Sequence, residues 1–480
     1  MKITTVIFLV ISFTLNLFAQ GQGNERQQMI RTDAPVIALV HVRVIDGTGA
    51  AAQEDQTVVI SGGKIASLGS SASTKAPADA KTLDLTGYTV MPGLVGMHDH
   101  MFFPQGGNPA IYSDMGISFP RLYLALGVTT IRTTGSVAPY TDLEVKRRID
   151  AGTMIGPKMW VTAPYLEGKG AYTPVMHELT GPDDARRMVN FWAEEGATSF
   201  KAYMNITREE LRAVVEEAHK RGLKVTGHLC SVGYKEAAEI GIDNLEHGLF
   251  PDSEFVDGKK PDQCPAGGAV NAAMAKLDIN GPAVQDTIKT LIAKNVAITS
   301  TLPVFEANAP LEQNGIGSAR ALLNPKMLNV MSPDARIRYL TTRSRVTAAS
   351  NYAELVRKSM DFERAFAKAG GLLIAGLDPT GNGGIVAGFG DQREVELLVE
   401  AGFTPVEAIR IASLNGAKFL GEDARIGSIA AGKQADLVVV KGDPSKNIND
   451  IENVEIVFKD GVGYDSEKLI QSVQGLVGIR

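Results

Sequence analysis

The chain has 480 residues, 44% of them apolar, which is enough to bury a large core. A formal net charge of −6 supplies no basic footprint and argues against nucleic acid as a partner.

Met1 and Lys2 precede an apolar run from Ile3 to Phe18 that closes on Ala19, Gln20 and Gly21, the pattern of a secretory signal peptide. Residues 1–19 are therefore expected to be removed on the way to a secreted or periplasmic location, with 20–33 left as a flexible leader. The run is short for a membrane span and none like it follows, so no stable membrane insertion is expected afterwards. No cysteine lies near the cleavage point, which argues against a lipid anchor.

Residues 34–92 read as short β-rich pieces at 36–44, 57–60 and 64–69 separated by glycine turns. The same texture returns in 421–480, at 427–440 and 454–461, so a small β-sandwich domain is expected from both chain ends. Between them, 93–420 alternates strand-like and helix-like stretches. The strands are expected at 89–100, 127–132, 158–163, 197–203, 224–228, 244–247, 296–301 and 372–378. One intervening helix opens with Thr207 and Glu210 as a capping box and closes at Gly222. Eight strands alternating with helices predict a (β/α)8 barrel, whose chemistry gathers at the carboxyl ends of its strands.

Polar residues sit at those ends. His98 and His100 finish the first apolar run two residues apart, so both imidazoles point to one face of the strand while Asp99 points away. Two imidazoles on one face suit a divalent cation such as zinc. Lys201, His228, His247 and Asp378 close strands four, five, six and eight.

In this order the motifs resemble those of the amidohydrolase superfamily, and within it the prolidase-like and imidazolonepropionase-related branch. The resemblance runs from Pro92-Gly93-Leu94-Val95-Gly96-Met97-His98-Asp99-His100 to the closing Gly-Lys-Gln-Ala-Asp-Leu segment. It implies a metal-dependent hydrolase of carbon–nitrogen bonds in which His98, His100, Lys201, His228, His247 and Asp378 hold one or two divalent ions, with zinc expected. A buried, deprotonated Lys201 can add carbon dioxide, and the resulting carbamate can bridge two metals about 3.5–4 Å apart. Its alternative role is a simple ion pair. Asp378 is expected to contact metal and act as general acid and base, or merely to cap a helix before Pro379. Two positions depart from relatives: Arg132 is followed by Thr133 rather than aspartate, and Cys230 stands two residues after His228.

Other residues are readable only as alternatives. Tyr203 is on the same strand face as Lys201 and is either a substrate contact or packing; His177 is a substrate contact or a solvated loop residue. Cys230 and Cys264 fall in neighbouring loops, so they form a disulfide or remain two thiols. Long connections at 251–281 and 302–350 are expected to form a lid or cavity wall. Arg336, Arg338, Arg343 and Arg345 read as the solvated face of a helix, or as a seat for a substrate carboxylate. The expected reaction is hydrolysis of an amide bond in a small dipeptide or N-acyl amino acid. The rivals are a cyclic amide or lactone at the same site, and a non-catalytic barrel. Assembly into a homo-oligomer is compatible with the sequence.

Overall fold

A computed structural model describes residues 25–107, 110–266 and 268–479. The signal peptide expected at 1–19 lies outside them.

Eight parallel strands form the barrel: β1 (Leu94–Asp99), β2 (Val128–Thr133), β3 (Lys158–Val161), β4 (Ser199–Ala202), β5 (Lys224–Gly227), β6 (Asn244–Glu246), β7 (Ala297–Ser300) and β8 (Leu373–Ala375). Register runs continuously from β4 to β8 through Lys201 with Thr226, Thr226 with Asn244, Leu245 with Ile298, and Thr299 with Ile374. Two seams close the ring. A parallel bridge from Thr162 to Ser199 joins β3 to β4, and the Asp378 amide donates to the His98 carbonyl at 2.9 Å where β8 meets β1. Gly376 is required at this second seam, because a Cβ there would collide with the backbone of His98.

The apolar run 89–100 divides at Gly93. Tyr88–Pro92 belongs to a nine-stranded sheet and Leu94–Asp99 to the barrel. In that sheet Tyr88–Pro92 pairs antiparallel with Leu437–Lys441, so strands from the two chain ends lie side by side. The two-residue period of a strand then serves two cores at once. Leu437 and Val439 pack with Ile37, Val58 and Phe458 in the small domain, whereas Val438 and Val440 pack into the barrel's core.

The flexible leader expected at 20–33 is corrected over its second half. Residues 25–29 are helical, and Ile30–Thr32 pairs antiparallel with Val462–Asp465, giving an otherwise open sheet edge a partner. The segment 302–350 holds helices at Leu302–Glu306, Ala319–Leu322, Pro325–Val330 and Pro333–Arg343, and its first turn walls the barrel mouth.

Candidate metal centre

Strand geometry presents the ligands as the alternation requires. His98 and His100 face a cavity at the carboxyl end of the barrel, and Asp99 faces the opposite side, toward Asp391. Asp378 meets them across the β1/β8 seam. The Nε2 atoms of His98 and His100 lie 3.8 and 3.6 Å from the two Asp378 carboxylate oxygens. Among the described residues, the metal-ligating atoms that all fall within 4.8 Å of one another belong to His98, His100 and Asp378. Asp378 has φ 51° and His247 φ 71°, left-handed conformations that Asp and His adopt more readily than most non-glycine residues and that aim both side chains at the cavity.

The donor set fits a divalent cation. Nδ1 of His100 donates to the Gly135 carbonyl at 3.1 Å, a group that can only accept, so its Nε2 carries a lone pair toward Asp378. Nδ1 of His98 is held by Glu246 at 2.7 Å, which fixes the same tautomer. Burial pulls the His98 imidazole well below its ordinary pKa and that of His100 down to about 3, so both are neutral and available to a metal.

Glu246, which the sequence analysis does not single out, supports the site from beneath. Its side chain is fully buried and binds His98, the Thr226 hydroxyl and, at 2.8 Å, the Arg132 guanidinium. Burial alone would raise its pKa, but Arg132 and Lys201 more than offset that and keep the carboxylate charged. Arg132 also donates to Asn244 at 2.9 Å and to the Met97 carbonyl at 2.8 Å. The available signal was a glutamate inside a short apolar strand, where a charge must have a partner.

His228 and His247 follow directly after β5 and β6 and line the same cavity, with ring centroids 4.4 Å apart. His247 is 4.4 Å from His98 by the same measure, and its Nδ1 is bound to the Thr301 hydroxyl at 2.8 Å. Lys201 is 1% exposed on the cavity floor, its pKa pulled by burial to about 8, against the opposing pull of Glu246 and Asp378. The expectation of one or two ions with a carboxylated Lys201 as bridging ligand is corrected: among the described residues the structure gathers one triad, His98, His100 and Asp378, and no lysine-bridged pair. Lys201 sits between opposing effects, burial disfavouring its ammonium and the Glu246 and Asp378 carboxylates favouring it.

Tyr203 lines the cavity, but His177 does not. His177 turns to Asp184, with Nε2 3.0 Å from Oδ2, and its neighbour Met176 reaches the cavity instead. The arginine stretch also points elsewhere: Arg343 is buried and donates to the carbonyls of Ala307 and Ala309, and Arg338 reaches Gln105. Cys230 and Cys264 are joined in a disulfide with Cα atoms 4.9 Å apart, tying the segment after His228 to the connection that follows β6. A larger cleft of about 540 Å³ near the Lys158 pairs with Asp436 and Asp460 lies away from these ligands.

The amidohydrolase family matches residues 89–462. The chain belongs to this family. Its His98, His100 and Asp378 group makes this amidohydrolase a metal-dependent hydrolase of carbon–nitrogen bonds. No curated protein sequence matches the chain. Solved structures share the fold along nearly its full length. A putative prolidase from Bifidobacterium longum is 24% identical with a TM-score of 0.65, covering 92% of this chain and 100% of its own. A Xaa-Pro dipeptidase with bound methionine is 21% identical at TM-score 0.64, covering 90% and 100%. The ochratoxinase of A. niger is 19% identical at 0.63, covering 93% and 100%.

Proposed function

We propose that this amidohydrolase is exported and cleaves the amide bond of a small dipeptide or N-acyl amino acid, with Asp378 moving the proton. The proposal is carried by the meeting of two tautomer-fixed histidines and one aspartate in a small cavity at the carboxyl end of the barrel. A divalent cation bound there would polarise the scissile carbonyl and acidify the attacking water.

Burial raises the Asp378 carboxyl above its ordinary value, with the Thr380 hydroxyl and Lys201 pulling the other way, and a cation held beside it would pull it down again, so the group stays a carboxylate able to accept a proton at neutral pH. Thr380 donates to Oδ1 at 2.7 Å and orients the group, leaving Oδ2 to take a proton from water and return it to the leaving amine. His228, neutral because burial pulls it to about 3, offers an N–H to the carbonyl oxygen as negative charge develops there. The size of the cavity, about 160 Å³, suits a small substrate. Names carried by similar structures, a prolidase and a Xaa-Pro dipeptidase, support the peptide class. The leader pattern of residues 1–19 and the Cys230–Cys264 disulfide support an oxidising, extracytoplasmic location. Among the described residues no helix is long and apolar enough to cross a membrane.

The test is a hydrolysis panel of dipeptides and N-acyl amino acids with metal-loaded and chelator-stripped protein. Loaded protein should turn over at least one class, stripped protein none, and Asp378→Asn should lose roughly two to four powers of ten in kcat. Full activity without metal, or in the asparagine variant, overturns the proposal.

A further inference from the structure

One wall of the cavity above the triad is built almost wholly of aromatic rings drawn from separate segments. Phe102 stacks on the His100 imidazole with centroids 4.4 Å apart, and Tyr112 meets Phe102 edge-on at 5.1 Å. Tyr112 is fixed by a 2.9 Å bond from hydroxyl to hydroxyl with Tyr172, whose ring lies 6.2 Å from that of Tyr203. Tyr165 packs edge-on against Tyr203 at 4.9 Å. Val304 and Phe305 also line the cavity, the Phe305 ring 5.8 Å from that of His247. Rings held edge to face around a gap leave faces and edges for one more ring, and each favourable ring pair strengthens binding about 2- to 12-fold.

Charge narrows the occupant. A divalent ion on the triad would lie at the floor, which disfavours a cationic group. Above the floor the lining is aromatic or aliphatic and no arginine joins it among the described residues, so a charged side chain held against those rings would lose its hydration without gaining a partner. We propose that this cavity is a subsite for a neutral aromatic ring, and that the substrate is a dipeptide or N-acyl amino acid with a phenyl-type side chain next to the scissile amide. The substrate class rests on the amide-hydrolase reading above; the ring subsite can be measured without it. Tyr172, 44% exposed at the rim, closes over the ring through its bond to Tyr112.

The experiment has two arms on full-length, metal-loaded protein. In the first, initial rates are compared for glycyl-phenylalanine, glycyl-leucine, glycyl-aspartate and glycyl-lysine. The phenyl substrate should exceed the aspartyl one about 30- to 100-fold in kcat/KM, the effect of burying one ring plus its ring contacts. In the second, N-benzylacetamide and N-butylacetamide are titrated calorimetrically into wild type and Tyr172→Ala, a rim substitution that leaves the core intact. The benzyl compound should bind about 10-fold tighter, and the variant should shrink that ratio about 5-fold. Cleavage without phenyl preference, or with preference for the aspartyl or lysyl substrate, overturns the subsite and leaves amide hydrolysis standing. If no peptide is cleaved but the benzyl preference appears and falls in Tyr172→Ala, the subsite stands and the dipeptide part of the substrate reading fails. Equal affinity for the two amides in wild type overturns the subsite whatever the rates.

Discussion

At the scale of single residues, the quality of His98 as a ligand depends on Glu246. The carboxylate fixes the tautomer and plane of the ring through Nδ1, and Arg132 in turn keeps that carboxylate charged and in place. Glu246→Gln keeps the shape but removes the charge, leaving Arg132 buried without its counter-ion. The expected result is a 10- to 100-fold loss of metal affinity, the usual effect of removing a group that orients a ligand, read by competition with a chromogenic chelator. Unchanged affinity would show that Glu246 is structural. His98 and His100 could be read from their spacing, because strand alternation is local. The role of Glu246 could not: its partners are on β1, β2 and β5, and nothing in the chain near position 246 names them. The aromatic residues of the cavity share that problem. Phe102, Tyr112, Tyr165 and Tyr172 follow no period and converge only because their segments share one end of the barrel.

Elements with local rules were the most legible. The helix Arg208–Lys220 starts at the Thr207/Glu210 capping box the sequence shows, with the Thr207 amide donating to Glu210 at 2.9 Å. Helix Pro139–Asp150 carries a conflict that sequence alone hides. Asp142 sits in its first turn, where the helix dipole favours a negative charge by about 0.3–1 kcal/mol. Yet the residue is 2% exposed, and burial pushes its carboxyl up to about 8 despite the 2.6 Å bond from Ser136. Desolvation wins, and the acid is held neutral. Because the folded pKa exceeds the unfolded one of about 3.9, this group's contribution is fully present below pH about 4 and is lost as pH rises toward 8. Asp142→Asn, which cannot ionise, should therefore lose less melting temperature between pH 5 and pH 9 than wild type does. Parallel losses in the two proteins would mean that Asp142 is ionised in the fold.

For the molecule as a whole, two long-range closures hold the site. One is the sheet in which Tyr88–Pro92 and Leu437–Lys441 pair, so that the barrel hangs from a domain made of both chain ends. The other is the Cys230–Cys264 disulfide, which closes a 34-residue separation around β6 and its following connection. In the chain-entropy account a loop of that length stabilises by about 3–4 kcal/mol. The double variant Cys230→Ser, Cys264→Ser should unfold at correspondingly lower urea. Wild type kept in reductant should approach the same midpoint. Coincident midpoints for oxidised and reduced wild type would show that the crosslink adds nothing.

The sequence by itself determined the eight-strand order, the two-ended small domain and the positions of His98, His100 and Asp378, because alternation, caps and strand ends are written within a few neighbouring residues. Only the tertiary structure decided that one metal triad forms. It also decided that Lys201 lies beside two carboxylates, that His177 turns away to Asp184, and that the arginines of 336–345 stay out of the cavity. Each of those outcomes depends on which segments meet when the barrel closes. The β1/β8 seam at Gly376 and the reach of Glu246 from β6 to β1 exist only once strands distant in sequence have been brought round into a ring.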